Sequence, residues 1–211
     1  MIAIIDYKAG NLTSVRLAVE ALGACARVTS APGDILSAER IIFPGVGAAA
    51  AAMGTLASLG LDNAIRGAIS NGTPFIGICL GAQILFERSA EDGGVGTLGI
   101  LPGEVVRLAP REPRAKIPHM GWNQADFHKA HPVLDGIRDG SDFYFVHSYR
   151  MAPARNGDIL TTTDYAGEVF ASSVARGNIV ATQFHIEKSG KTGLRMLSNF
   201  LAWDGKESPK C

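Results

Sequence analysis

The strongest chemical signal in the sequence is a cysteine that lies between two glycines. Cys79 is the centre of the run 77–81, Gly-Ile-Cys-Leu-Gly, which follows an apolar stretch and precedes a helix-like segment, residues 80–88. A nucleophile in this setting is typical of a sharp turn from a strand into a helix, where glycines leave room for the tight backbone. The pattern predicts that Cys79 is a nucleophile and that the N–H of Leu80 binds a developing oxyanion. Taken alone, Cys79 equally fits a buried, unreactive core cysteine.

A histidine and a glutamate late in the chain supply the other groups that a thiol nucleophile needs. His185 and Glu187 are two residues apart, and in an extended backbone such residues point to the same side. Glu187 is then expected to hold one nitrogen of the imidazole while the other nitrogen faces a thiol. With Cys79, these residues match the nucleophile, base and orienting acid of acyl-transfer catalysis.

A glycine-rich loop offers a second source of oxyanion donors. Residues 41–43 are predicted to form a short buried strand that runs into Pro-Gly-Val-Gly, residues 44–47. Glycines let backbone amides approach a ligand closely, and here the expected ligand is a carbonyl oxygen that becomes an oxyanion. The loop is not a dinucleotide fingerprint, because Ala50 stands where the third glycine of that motif would be.

Composition limits the classes of partner. The 211 residues suit one domain, and 20 basic residues balance 20 acidic ones without any basic block, which argues against nucleic acid or an anionic membrane. No apolar run approaches the roughly 20 residues of a membrane span. Three scattered cysteines (Cys25, Cys79 and Cys211) and an N-terminus without signal-peptide features predict a cytoplasmic protein without disulfides. No cluster of cysteine and histidine has metal-ligand spacing, so neither metal nor cofactor is expected.

Short apolar strands alternate with amphipathic helices in the first half of the chain. This alternation predicts an α/β fold with a mostly parallel central sheet and helices on both faces, in which ligands bind beyond the carboxyl ends of the strands. The second half is richer in strands, predicted at residues 104–108, 121–127, 143–146, 159–163, 169–174 and 179–184, and ends in a helix over 190–203. Because no linker interrupts the pattern, residues 1–204 are expected to form a single domain, followed by a polar tail, residues 205–211.

The Pro-Gly-Val-Gly loop, the cysteine turn and the late His-x-Glu, in this order along the chain, resemble the class I (triad) glutamine amidotransferases over essentially the whole chain. Three finer motifs resemble the glutaminase subunits of imidazole glycerol phosphate synthase, an enzyme of histidine biosynthesis. They are Ile-Asp-Tyr at residues 5–7 with Ala-Gly-Asn-Leu at 9–12, Pro-His-Met-Gly-Trp-Asn at 118–123, and Phe-Tyr-Phe-Val-His-Ser-Tyr at 143–149. The resemblance implies the three-layer, flavodoxin-like fold of that family.

The resemblance also implies a reaction and the residues that perform it. Cys79 would attack the side-chain amide of glutamine, His185 would pass the thiol proton to the leaving ammonia, and Glu187 would orient His185. Water would then release glutamate from a cysteine thioester. The oxyanion hole would combine Leu80 with an amide of the Val46–Gly47 stretch. Four residues would hold the glutamine: Gly47, Gln83, Ser148 and Tyr149.

A partner protein follows from the same resemblance. Ammonia would pass to a cyclase subunit, a separate (β/α)8 chain that forms a heterodimer with this one and makes imidazole glycerol phosphate and an aminoimidazole carboxamide ribotide. Low activity of the lone subunit would follow if an amide of the 45–47 backbone points the wrong way. Six residues are expected at or near the interface: Asn11, Met120, Trp122, Asn123, Tyr144 and Lys188.

Several alternatives remain open at this stage. The chain could serve a different synthase, or it could be a non-catalytic binding module on the same fold. A cysteine peptidase of related architecture would carry a histidine directly after the nucleophile, where this chain has Leu80. Three residues depart from the family pattern. Ile186 stands where proline is usual, which predicts a slightly looser orientation of Glu187. Lys8 replaces a common glycine and Ala82 a common methionine.

Overall fold

The computed structural model describes residues 1–9 and 11–206. The predicted tail falls within them only at Gly205 and Lys206, and Cys211 lies outside the described residues. The first half contains β1 (Ile2–Ile5), α1 (Leu12–Ala21), β2 (Ala26–Thr29), α2 (Pro32–Leu36), β3 (Arg40–Gly45), α3 (Ala49–Leu59), α4 (Leu61–Ser70), β4 (Phe75–Cys79) and α5 (Leu80–Gln83). The second half contains β5 (Arg88–Ser89), β6 (Val95–Gly96), β7 (Gly103–Arg107), β8 (His119–Phe127), β9 (Ser141–His147), β10 (Tyr149–Pro153), β11 (Ile159–Tyr165), β12 (Glu168–Arg176), β13 (Ile179–Thr182) and α6 (Gly190–Ala202).

The strands form one mixed sheet whose centre is parallel. Its order is β2-β1-β3-β4-β13-β12-β10-β7-β5-β6, and β11, β8 and β9 branch from β12. The pairings from β2 to β13 are all parallel, whereas β12 and β10 continue the sheet in antiparallel fashion. The predicted α/β class, with a strand-rich second half, is therefore confirmed. That residues 1–204 are a single domain stays a prediction.

The central strands are apolar on both faces because helices cover both. Ile4, Ile42 and Ile76 point to the face covered by α1 and α6. Their neighbours Ile41 and Phe75 point to the opposite face, covered by α2, α3 and α4. This alternation follows from the two-residue period of a strand, and it produces the three expected layers.

Helix α5 and strand β10 differ from the predictions. The helix predicted over residues 80–88 is α5, which ends at Gln83, and Arg88 already belongs to a strand. The carbonyl oxygens of residues 84–86 accept N–H groups of residues 98–101 at 2.6 to 2.8 Å, so they are not available to continue a helix. Strand β10 was not predicted at all. It lies between β12 and β7 and carries Tyr149 along the edge of the site.

Candidate active site

The predicted turn around Cys79 is present, and its glycines are sterically required. Cys79 is the last residue of β4 and has φ 55° and ψ −112°, a left-handed conformation that non-glycine residues rarely adopt and that concentrates at functional sites. A Cβ on Gly77 would lie 2.6 Å from the carbonyl oxygen of Gly81. A Cβ on Gly81 would lie 1.9 Å from the carbonyl oxygen of Phe43. Only glycine therefore fits at these two positions.

The sheet brings His185 to the same edge as Cys79. Strand β13 is parallel to β4, with Thr182 opposite Ile78, so the chain that leaves β13 emerges beside the cysteine. The Nδ1 atom of His185 lies 2.8 Å from Oε1 of Glu187, and the two side chains are 2% and 1% exposed. The expected contact is present, but the expectation of an extended segment is wrong. A 3₁₀ turn, Ile186–Lys188, folds back and places Glu187 behind the imidazole.

The surroundings of His185 favour its protonated form. Burial lowers the pKa of His185, but interactions with Cys79 and Glu187 raise it more, and the result is a pKa of about 9. The Nε2 atom has no hydrogen-bond partner of good geometry among residues 1–9 and 11–206, although the thiol is near enough to act on this pKa. Since Nδ1 is committed to the carboxylate, Nε2 is the atom left to exchange a proton with sulfur.

Gln183 is a neighbour of the thiol to which the sequence analysis gave no role. Its Nε2 lies 3.9 Å from the Sγ of Cys79, and its Oε1 accepts a hydrogen bond of 3.0 Å from Gln83. Gln183 is completely buried. A signal was available, because Gln183 is two residues before His185 and so shares its side of an extended backbone.

A cavity of about 310 Å³ opens over the cysteine, at the small end of the size range of ligand sites. Every residue predicted to form the oxyanion hole or to bind substrate lines it, whereas Glu187 lies outside it. Glu91 also lines the cavity and was missed, because it lies in a loop without a recognisable motif. The lining residues are Val46, Gly47, Cys79, Leu80, Gln83, Glu91, Pro118, Val146, His147, Ser148, Tyr149 and His185.

The two predicted sources of oxyanion donors differ in availability. Leu80 is the first residue of α5, so its N–H has no partner within that helix. The N–H of Val46, by contrast, donates to the hydroxyl of Tyr7 at 2.9 Å. The same hydroxyl donates to the carbonyl oxygen of Val46, also at 2.9 Å. Burial raises the pKa of Tyr7 to about 12, which keeps the hydroxyl protonated. Tyr7 therefore occupies both the N–H and the carbonyl group of Val46 with hydrogen bonds.

Two polar side chains on the cavity wall are themselves fixed by the backbone. The Nε2 of Gln83 donates a hydrogen bond of 2.8 Å to the carbonyl oxygen of Tyr149. The side-chain oxygen of Gln83 is therefore the atom left for a ligand. The carboxylate of Glu91 accepts the N–H of Ala49 at 2.8 Å, at the start of α3. Burial raises the pKa of Glu91. The wall near Gly47 thus presents a carboxylate to the cavity.

Several of the residues predicted at a partner interface form a surface cluster around Tyr144. Trp122 packs edge-on against Tyr144 with ring centroids 6.0 Å apart, and the Nζ of Lys188 lies 6.0 Å from the Tyr144 ring. Trp122 is 58% exposed and Met120 63% exposed, so this face is unusually apolar for a surface. The other two residues are Asn11, whose side chain caps α1 through the N–H of Ser14, and Asn123, on the same strand as Trp122. Their interface role stays a prediction.

Two kinds of feature are absent from the described part of the chain, residues 1–9 and 11–206. Within it, no group of three or more histidine, cysteine, aspartate or glutamate residues is placed to hold a metal ion. Within the same residues, no helix has the length and apolar character to cross a membrane. Cys79 is buried and Cys25 is exposed, and both are free thiols.

Comparisons with known proteins agree on one family. The family model "Glutamine amidotransferase class-I" matches residues 3–203. A protein of Dehalococcoides mccartyi named "Imidazole glycerol phosphate synthase subunit HisH" is 51% identical over 201 residues, which are 95% of this chain and 96% of the relative. Proteins of the same name from Chromobacterium violaceum (48% identical, 97% and 98% covered) and Moorella thermoacetica (50%, 94% and 93%) are similarly close.

Solved structures share the fold at lower sequence identity. A crystal structure of a glutamine amidotransferase superposes with a TM-score of 0.73 at 17% identity and covers 96% of this chain and 98% of its own. The structure of PurLQS from Thermotoga maritima superposes with a TM-score of 0.73 at 18% identity, with 95% and 97% covered. At these identities the likeness concerns the fold alone.

Proposed function

The chain belongs to the class I glutamine amidotransferases, and we propose that it is the glutaminase subunit of an imidazole glycerol phosphate synthase in histidine biosynthesis. It would hydrolyse glutamine to glutamate and ammonia and pass the ammonia to a cyclase subunit. The observation that carries the chemistry is that Cys79 and His185 line one cavity, with Glu187 bonded to the other side of the imidazole. The choice of synthase rests on relatives of that name, 48 to 51% identical over nearly the whole chain.

The proposed reaction moves one proton between sulfur and nitrogen. His185 takes the proton of Cys79 at Nε2, and the thiolate sulfur attacks the side-chain carbonyl carbon of glutamine. The carbonyl oxygen becomes an oxyanion that the N–H of Leu80 and an amide of the 46–47 stretch stabilise. As the carbon–nitrogen bond breaks, His185 returns the proton to the leaving nitrogen, and ammonia departs. Water, deprotonated by His185, then hydrolyses the thioester to glutamate and restores the thiol.

The cavity wall supports an amino-acid substrate. Glutamine carries an α-ammonium group, and the Glu91 carboxylate on the wall offers it an opposite charge. Gly47, Ser148 and Tyr149 supply backbone and hydroxyl groups nearby, and Gln83 contributes its remaining side-chain oxygen. This assignment makes Glu91 a determinant of substrate affinity, a role that the sequence analysis did not give it.

The proposed partner explains the apolar face beside the site. Ammonia released into water at neutral pH becomes ammonium, which is not a nucleophile, so a sealed interface would protect the product. Exposed Met120 and Trp122 are suited to such an interface because aromatic residues and methionine are enriched there. We propose a heterodimer with the cyclase in the cytoplasm, without nucleic-acid or membrane partners. The alternative is a subunit of another synthase.

Replacing Tyr7 with phenylalanine is expected to raise glutamate release by the isolated chain by about tenfold. The substitution removes the hydroxyl that holds the N–H of Val46 and frees an amide for the oxyanion, and one such donor is worth roughly 10² to 10³ in rate when fully placed. The free energy of unfolding should fall by about 1 to 2 kcal/mol for the two lost hydrogen bonds. A folded variant with unchanged or slower release would contradict this account of Val46.

Replacing Ile186 with proline is expected to leave the glutaminase rate unchanged or slightly higher. Ile186 is the first residue of its 3₁₀ turn, a position where proline fits, and His185 before it has φ −88° and ψ 100°, which a following proline tolerates. The fixed φ should tighten the position of Glu187. Since the Ile186 side chain is buried, the melting temperature should fall. Clearly lower activity in the folded variant would show that the backbone here was not loose.

The proposed function is tested by glutamate release from glutamine. The purified chain is assayed alone, with a histidine-pathway cyclase, and with that cyclase and its ribonucleotide ligand, beside a Cys79→Ala control. Strong release with the liganded cyclase, lost in the control, is the expected result. A cyclase that binds without producing release would indicate a scaffold or a disabled site, and absence of binding would indicate a different synthase.

A further inference from the structure

Two buried histidines, one of them on the cavity wall, have no part in the reaction as proposed. His119 and His147 are directly opposite each other across β8 and β9. The Nδ1 of His119 lies 3.1 Å from the Nε2 of His147. They are 2% and 5% exposed. Two polar rings in such a place need a reason, because phenylalanine would fill the space without polar atoms to satisfy.

The hydrogen bonds of this pair allow only one arrangement of protons. The Nδ1 of His147 lies 2.9 Å from the carbonyl oxygen of Tyr149, which only accepts, so Nδ1 must carry the proton. In the neutral ring Nε2 is then an acceptor, and His119 must donate to it from Nδ1. The Nε2 of His119 is left as an acceptor, and the Nδ2 of Asn123, a donor, lies 3.3 Å from it.

The surroundings keep both rings neutral, as this arrangement requires. His119 is stacked between the rings of Phe145 and Tyr165, at centroid distances of 4.8 and 4.0 Å. His147 packs against Phe170 with centroids 5.2 Å apart. Burial lowers the pKa of His119 to about 4 and that of His147 to about 3.

The chain of hydrogen bonds ends on the wall of the substrate cavity. The Tyr149 carbonyl oxygen that accepts from His147 also accepts from the Nε2 of Gln83 at 2.8 Å. Gln83 in turn contacts Gln183, which lies beside the thiol. One carbonyl oxygen thus joins the histidine pair to a side chain that we place against glutamine.

We propose that His147, held in a single tautomer by His119, is a positioning residue that fixes the Tyr149 carbonyl and the Gln83 amide for glutamine binding. The inference rests on the proposed function, since it assumes that the cavity holds glutamine. His147 lines the cavity, but its ring nitrogens are both committed to the protein, so it acts through Tyr149 and Gln83. His119 supplies the donor that excludes the other tautomer of His147.

Nuclear magnetic resonance of the 15N-labelled chain tests the arrangement of protons. Both rings are expected to carry their proton on Nδ1 and to stay neutral between about pH 5.5 and 8, where an ordinary imidazole titrates. Variants at His119 and His147 assign the signals. A proton on Nε2 of either ring, or titration within that range, would overturn the inference.

Glutamine binding tests the consequence for the cavity. Calorimetry in a Cys79→Ala background measures the dissociation constant without turnover. His147→Phe removes the donor to Tyr149 and is expected to weaken binding about tenfold. A change of this size corresponds to the loss of about one hydrogen bond. His147→Asn, whose amide nitrogen reaches the place of Nδ1, should restore binding to within about twofold. His128→Gln, at an exposed histidine bonded to Thr162, is the matched control and should change nothing.

The outcomes separate this inference from the proposed function. If the Cys79→Ala chain does not bind glutamine, the proposed function fails, and the positioning role fails with it. If that chain binds glutamine and His147→Phe binds equally well, the positioning role is wrong and the function stands. If His147→Phe does not fold, His147→Asn and the tautomer measurement decide: weak binding by His147→Asn would overturn the inference.

Discussion

Replacing Glu187 with glutamine is expected to lower kcat for glutamine hydrolysis by roughly 10² to 10⁴-fold, the cost known for neutralising the orienting acid of such triads. The carboxylate accepts the Nδ1 proton of His185 over 2.8 Å, which leaves Nε2 free to take a proton from sulfur. The side-chain amide introduced at position 187 can donate a hydrogen bond to Nδ1 of His185, and the imidazole proton then resides on Nε2. In that tautomer His185 cannot act as a base toward Cys79.

The same substitution should move the alkaline limit of activity to lower pH. Interactions with Cys79 and Glu187 outweigh burial and set the pKa of His185 at about 9, so the imidazolium that protonates the leaving nitrogen is lost above that pH. Without the carboxylate the pKa falls. Folded His185 also binds its proton more tightly than unfolded His185, so its contribution to stability is complete below about pH 6.5 and is lost by about pH 9. The free energy of unfolding of the variant should therefore fall less between about pH 6.5 and 9.

Profiles of kcat against pH, measured with the cyclase and its ligand bound, check both expectations. Glu104→Gln is the matched control, since Glu104 is an exposed partner of Arg88 at 3.8 Å and such pairs contribute little. Should Glu187→Gln keep its rate within about tenfold of the parent, orientation by this carboxylate would not be the role of Glu187.

Replacing Gly81 with alanine is expected to destabilise the fold by more than about 3 kcal/mol and to abolish activity, because the added methyl overpacks a rigid part of the core. The new Cβ would lie 1.9 Å from the carbonyl oxygen of Phe43 and 2.8 Å from its carbonyl carbon. These are backbone atoms of β3, which pairs with β1 and β4, so they cannot move independently. Any relief must displace the turn that carries Cys79.

Gly54→Ala is the matched control for this substitution. Gly54 lies inside α3, and a Cβ there would meet nothing within 4 Å. Alanine in a helix interior is favoured over glycine by roughly 0.5 to 1 kcal/mol, so the same chemical change should stabilise the protein. Denaturant unfolding of both variants gives the two free energies. A Gly81→Ala chain as stable as the parent would show that the turn has room to adjust.

The meeting of Cys79, His185 and Glu187 could be predicted from sequence because each of the motifs is local. The cysteine turn needs glycines at fixed offsets from Cys79, and the contact between His185 and Glu187 depends on two residues of spacing. The central strands could also be predicted, since helices cover both of their faces and leave them continuously apolar. The predicted conformation of this segment was wrong, because the backbone after His185 turns instead of extending.

The remaining features depend on contacts between distant segments, which periodicity does not record. Helix α5 stops at Gln83 because the carbonyl groups of the next residues, 84–86, accept N–H groups of residues 98–101. The hydrogen bonds of Tyr7 to Val46 and the pairing of His119 with His147 join segments with no shared pattern. For the same reason Glu91 carries no signal of its own, although it lines the cavity. Gln183 could have been found only through its two-residue spacing from His185.

The place of β13 beside β4 sets an order of events during synthesis of the chain. β4 needs a neighbour on each side, and it finds one in β3 and the other in β13, which pairs Ile179 with Phe75. While the ribosome has yet to release the C-terminal segment, β4 has an open edge that can pair with another chain. Such pairing between remote segments is also slow. Catalytic competence therefore arises last, and a nascent chain that ends before Glu187 cannot consume glutamine.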